Sequence, residues 1–148
     1  MKKIRDRDKR AGYTLVELIA VLAILAILMM LAAPHVNRYV TAAKRAASET
    51  EALAVADAVS RYLQDKEEAG ELDYKVVRGL INLELDTPDN VLQDYIGGGM
   101  EGARIQHVYV DLKKCFLGQL TYVNQFDCVR ISYDSKGNRT VEHVDSGI

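Results

Sequence analysis

Residues 9–18 read Lys9-Arg10-Ala11-Gly12-Tyr13-Thr14-Leu15-Val16-Glu17-Leu18, and from Tyr13 the chain runs on to Ala33 with Glu17 as its one charged residue. About 21 apolar residues at 1.5 Å per residue match the roughly 30 Å hydrocarbon core of a bilayer, so the stretch predicts a helix that crosses a membrane once. A secretory signal has an apolar region of only about 7 to 15 residues followed by a small-residue cleavage site. Here the run is longer, and Pro34 follows Ala33 directly. The carboxylate needs a reason, because an acid at the bilayer centre costs about 2.5 to 3.5 kcal/mol on insertion scales and usually has a partner. The alternative is a position near the interface, where the side chain reaches headgroups and gains from the positive end of the helix dipole.

Gly12 followed by Tyr13-Thr14-Leu15-Val16-Glu17, a basic leader before it and Pro34 after the apolar run together resemble the class III signal of type IV prepilins and pseudopilins. The resemblance covers about the first 40 residues. It implies that a membrane-embedded prepilin peptidase cuts between Gly12 and Tyr13 and that the new amino terminus at Tyr13 is N-methylated. It also makes Glu17 the acidic residue used in assembly and Pro34 a helix kink. Phenylalanine is commoner than tyrosine at the position of Tyr13 in that family. Physical chemistry supports the same use of Glu17: cleavage creates an α-amino cation one helical turn away, and the two charges can satisfy each other between neighbouring subunits. Within a single helix the pair is an i, i+4 contact worth only about 0.2 to 0.5 kcal/mol in water.

The leader carries Lys2, Lys3, Arg5, Arg7, Lys9 and Arg10 against Asp6 and Asp8. Short basic flanks stay cytoplasmic, which predicts a single-pass inner-membrane protein with a cytoplasmic amino terminus. Six of the 19 basic and two of the 21 acidic residues lie in that leader, so from Tyr13 onward the balance is 13 to 19 and the net charge falls from −2 to −6. A nucleic-acid binder shows a basic patch or stripe, whereas the tight basic pairs left are Lys44-Arg45 and Lys113-Lys114, read as solvated. No direct nucleic-acid binding is expected.

From His35 to Glu68 the chain has no glycine or further proline, and Leu53, Ala56, Val59, Tyr62 and Leu63 recur at helical spacing, which continues the helix. A span of about 54 residues makes roughly 80 Å of helix, too long for the core of one small domain. Its first half must pack on lipid or on other copies, and Ala20, Ala23 and Ala26 permit close helix approach. Pro34 removes an amide hydrogen and crowds the preceding turn. Gly70 ends the pattern, and residues 74–83 read as a short helix or a strand. Thr87-Pro88-Asp89-Asn90 reads as a helix start with Thr87 as N-cap, Val91, Leu92, Tyr95 and Ile96 on its inner face, and Gly97-Gly98-Gly99 as its stop. Alternation and β-branched content predict strands over 104–112, 120–124, 128–133 and 140–144, with 134–138 as a hairpin loop. The predicted organisation is a leader over 1–12, a transmembrane first helix half over 13–33, a second half over 34–68, and a globular region over 69–148. The fold class is α+β, pilin-like: a long amino-terminal helix laid against a small antiparallel sheet.

Cys115 and Cys128 lie outside the expected membrane span. Joined, they close a loop of about 14 residues worth about 3 kcal/mol in the chain-entropy model, and an external location permits the bond. Two buried free thiols are the alternative. The pair resembles the carboxyl-terminal disulfide that many type IV pilins carry. His35, His107 and His143 show no zinc-ligand spacing with the cysteines, so no metal is expected. Asp65, Glu67, Glu68, Glu71 and Asp73 lack the spacing of a calcium loop and read as a solvated helix end. The glycine triplet precedes no lysine of phosphate-loop type, and no histidine has a recognisable nucleophile beside it. No catalytic residue and no cofactor are expected, and the chain reads as a substrate of enzymes.

The resemblance implies a type IV pilus subunit whose partners are other copies, the prepilin peptidase and methyltransferase, the assembly platform and the membrane, with an extracellular filament as the end point. The alternative is a pseudopilin of a type II secretion or DNA-uptake machine, ending in a periplasmic or cell-wall pseudopilus. The tail lacks the Tyr-Pro-Thr element expected of a major secretion pseudopilin. A reading from another class is a monomeric single-pass anchor that displays a small binding domain and needs no processing at Gly12.

Overall fold

The computed structural model describes residues 14–97 and 100–145. Gly12 and Tyr13 lie outside the described residues, as do Gly98 and Gly99. The chain divides into two units, one ending at Val40 and the other beginning at Thr41. The first described element, α1, spans Leu15–Glu68 and contains Pro34. In the first unit every described residue is exposed, including Leu22, Ile24, Leu25 and Leu28.

In the second unit, α1 buries Ser48, Ala52, Val55, Ala56, Val59, Tyr62 and Leu63. Steps of three and four residues place these on one stripe of a helix, and the small members let a sheet approach closely. Leu53 is only partly buried. The helix ends as its sequence dictates: Gly70 takes a left-handed φ of 70°, its N–H donates to Glu67 O at 2.9 Å, and Glu71 N–H donates to Lys66 O at 2.9 Å. This pair of bonds is a Schellman cap, which needs the positive φ that glycine adopts without a Cβ penalty.

Residues 74–83, ambiguous in sequence, resolve into α2, Tyr74–Gly79, followed by a two-residue strand β1, Leu83–Glu84. Asp73 decides the helix, because its carboxylate accepts Val76 N–H at 3.0 Å as an N-cap. The helix expected to start at Thr87 starts later: α3 is Gln93–Ile96. Thr87 donates its hydroxyl to Glu84 O instead of capping. Buried Asn90 takes over the segment, donating to Leu85 O and Thr87 O and accepting Leu92 N–H at 3.0 Å. That Asx turn holds residues 87–90 out of the helix. Leu92 is then fully buried and Val91 is exposed, so Val91 does not belong to the inner face.

The remaining strands are β2 (Arg104–Asp111), β3 (Phe116–Val123), β4 (Cys128–Tyr133) and β5 (Arg139–His143), antiparallel in the order β1-β2-β3-β4-β5. β3 begins four residues before the expected strand at 120. Register lines up Ile105, Tyr122 and Val129 in one cross-strand row and Val108, Leu120 and Ile131 in the next. These six are buried and form the core with the α1 stripe. Fully burying each large apolar side chain contributes about 1.5 to 3 kcal/mol. The hairpin loop is as expected: Asp134 Oδ1 accepts the amides of Lys136 and Asn138 at 2.8 Å each.

A polar clasp ties helix to sheet. The Tyr122 hydroxyl donates to Glu51 Oε2 at 2.7 Å, and Asn124 Nδ2 donates to the same oxygen and to Ser48 Oγ, both at 2.9 Å. Burial and the Glu51 hydrogen bond push the Tyr122 phenol well above its ordinary range. An unfolded tyrosine ionises near pH 10, while the folded chain still holds the proton, so the contribution of Tyr122 to stability is complete below about pH 10 and falls as pH rises towards the folded value. Denaturant titrations at rising alkaline pH should show this slope, and Tyr122→Phe should make it shallower, with the raised Cys115 and Tyr133 supplying what remains, while costing about 1 kcal/mol at neutral pH. A slope unchanged in that variant would assign the alkaline loss to other groups.

Candidate functional site

The described part of the site begins at Thr14, where the polypeptide enters α1. Thr14 N–H donates to Glu17 Oε2 at 2.8 Å, and Glu17 N–H returns a bond to Thr14 Oγ1 at 3.3 Å. The Thr14 hydroxyl also donates to Glu17 Oε2 at 3.0 Å. This reciprocal pattern is a capping box, in which a Ser or Thr N-cap and an acid three residues on satisfy each other's backbone amides. Glu17 therefore has a partner within its own helix start. Sequence reasoning paired Glu17 with a cation and passed over Thr14, although Thr14-Leu15-Val16-Glu17 fits the capping-box pattern.

Beyond Glu17, α1 is long and apolar enough to cross a membrane, by length and composition. Residues 7–33 match the family described as the prokaryotic N-terminal methylation motif. The chain carries a type IV prepilin-type signal. No curated protein and no solved structure matches the chain significantly. The prepilin-type signal supports reading the chain as a pilin-like or pseudopilin-like substrate of the processing enzyme. The apolar helix that follows it is consistent with a membrane-anchored protein. Pro34 lies just past the matched residues, inside α1.

The two cysteines are not brought together. Cys115 immediately precedes β3, and Cys128 pairs with Val123 at that strand's other end. Eight residues of strand separate the two positions, roughly 25 Å at 3.3 Å per residue, whereas a disulfide needs Cα atoms about 4.4 to 6.8 Å apart. Both thiols are free, so the expected bridge is corrected to the alternative of two unpaired thiols. Cys128 is buried. Cys115 Sγ contacts Leu63 O at 3.5 Å, and burial, reinforced by Glu67, pushes the thiol up to about 11.

Several of the other polar residues weighed from sequence are engaged locally. Asp65 accepts the Tyr95 hydroxyl at 2.6 Å, Glu71 pairs with Lys66 at 2.7 Å, and Asp73 caps α2. His143 Nδ1 lies 2.7 Å from Asp127 Oδ2, while His35 and His107 are exposed on α1 and β2. Among the described residues no three such side chains gather as a metal-binding group.

With both cysteines unpaired, the denatured protein should take up two alkylating groups without reductant, and reduction should leave its mass unchanged. In the folded protein Cys115 should react slowly at neutral pH, because little of it is thiolate. A mass two hydrogens lower that reduction restores would overturn the placement of β3.

Proposed function

We propose that this chain is a structural subunit of a type IV pilus. In this reading the peptidase cuts after Gly12, Tyr13 becomes the N-methylated terminus, and residues 13–33 hold the subunit in the inner membrane with the leader on the cytoplasmic side. Subunits then leave the membrane and assemble through their apolar helices into a filament. The observation that carries the proposal is the joint occurrence of the methylation motif at residues 7–33 and a following helix half whose large apolar side chains are exposed among the described residues.

Glu17 has two roles in this account. Before assembly it closes the capping box with Thr14, which survives cleavage because the Tyr13–Thr14 peptide bond remains. During assembly its carboxylate meets the α-amino cation of a neighbouring subunit and sets axial register. Other copies, the peptidase and methyltransferase, and the assembly platform are the partners. The chain is a substrate and building block with no catalytic role of its own.

The pseudopilin of a secretion or DNA-uptake machine is the second reading, and the free cysteines favour it more than the sequence did. The expected carboxyl-terminal staple was an argument for a pilin, and it is gone.

Shearing producing cells and measuring intact mass and the amino-terminal peptide in each fraction separates these readings. A chain starting at methylated Tyr13 and abundant in the sheared fraction is the expected result. The same chain confined to membranes would favour a pseudopilin, and an uncut chain throughout would overturn both readings. Gly12→Glu should leave an uncut, membrane-held precursor. Glu17→Ala should still be cut but should abolish filaments; normal filaments from that variant would remove Glu17 from assembly.

A further inference from the structure

We propose that the globular region carries a head-to-tail contact in which Phe126 of one copy enters an aromatic cleft at the opposite end of the sheet of the next copy. The inference rests on the filament reading above and names a contact between globular regions that the apolar helix does not supply.

Among the described residues after Thr41, the large apolar or aromatic side chains that stay exposed are Tyr74, Val91, Tyr109, Leu112 and Phe126. Of these, three flank the sheet, and they sit at its two ends. Tyr109 and Leu112 are at the end where β2 leaves and β3 begins, and Phe126 is in the turn between β3 and β4. β3 alone separates these ends by roughly 24 Å. Phe126 is therefore out of reach of the cleft in its own chain.

The cleft has a volume of about 250 Å³ and is lined by Tyr109, Phe116, Gly118 and Tyr133, with Asp111 and Lys114 as its charged residues. A cavity of roughly 150 Å³ accepts a benzene ring, so one phenyl group fits with room for its approach. Phe116 and Tyr133 stand edge to face, centroids 6.2 Å apart, the geometry aromatic rings favour. Gly118 makes room for Tyr109: a Cβ there would fall 2.7 Å from Tyr109 Cδ1 and displace that ring.

At the other end Phe126 is 53% exposed, yet it is aimed. Asn124 Oδ1 accepts the backbone amides of Phe126 and Asp127 at 2.9 Å each, and Asn124 is itself fixed by the Glu51 and Ser48 bonds. Lys44 Nζ rests 4.3 Å from the Phe126 ring centroid, so the ring travels with a cation, and Asp145 lies in the same recess. The recess carries Lys44 and Arg45 with Asp127 and Asp145, and the cleft carries Asp111 with Lys114, so each side holds both signs in balance and neither repels the other. Because knob and cleft occupy different ends of one molecule, the contact is heterologous and does not close, which generates an open filament in place of a dimer.

A photo-crosslinking phenylalanine analogue at position 126 of the full chain, activated in producing cells, tests the contact directly. The expected product is a dimer adduct mapping to Tyr109, Lys114, Phe116 or Tyr133 of a second copy. Phe126→Asp should lower sheared, assembled protein by about tenfold or more, the scale of a buried aromatic anchor; Phe126→Tyr should restore it. Adducts elsewhere on a second copy, adducts on a different protein, or no adduct from assembled subunits would overturn the contact. So would normal assembly of Phe126→Asp. If the unaltered chain is never cut after Gly12 and never assembles, the filament reading itself fails; a chain that is cut and assembled without the adduct loses only this contact.

Discussion

The structure depends on one covering relation: the apolar face of a five-stranded antiparallel sheet must be shielded from water, and the helix stripe from Ser48 to Leu63 shields it. A meander of this kind has one face to bury and one to leave wet, and a single helix stripe of small and branched residues fits that demand. Dispersion and burial are non-directional, so they do not determine where along the sheet the helix lies. Tyr122, Asn124, Glu51 and Ser48 supply the missing directionality. These bonds tie one point of α1 to the β3–β4 end, and they hold Asn124 so that its other face organises the turn bearing Phe126. Packing and display of the turn are thus consequences of the same few side chains.

Much of this was legible where periodicity or a cap speaks locally. The helix, the alternating strands, β4 over residues 128–133 and the Asp134 loop all follow from spacing and turn chemistry. The errors share a cause, which is that the deciding interaction was tertiary or involved a competing side chain. Thr87-Pro88 has the form of a helix start, but Asn90 spends its side chain on Leu85, Thr87 and Leu92 and delays the helix to Gln93. The cysteines lie close in sequence, yet strand β3 runs the whole way between them, and loop length carries no information about that. The opening of β3 at Phe116 was hidden because Gly118 weakens a strand pattern, although here it makes room for Tyr109. Thr14 is the opposite case, since its capping-box pattern with Glu17 is readable from local spacing alone.

Magnitudes show how that local pairing and the longer-range one coexist. An N-cap interaction contributes about 0.5 to 2 kcal/mol, while a carboxylate deep in hydrocarbon costs about 2.5 to 3.5 kcal/mol or more. The Thr14–Glu17 box offsets part of the cost of keeping the acid in an apolar helix and leaves part standing. Position near the helix start lowers the remainder, because the dipole there favours a negative charge and a headgroup is within reach. A free α-amino group, created one residue before Thr14 in the proposed mature chain, is a stronger partner than an amide, since it brings a full positive charge to the carboxylate where the low dielectric strengthens their attraction. A carboxylate that is held adequately but not fully in the isolated subunit is therefore suited to exchange partners when a second copy arrives. A fully satisfied one would have nothing to gain from assembly, and a wholly unpaired one would resist the membrane in which the subunit waits.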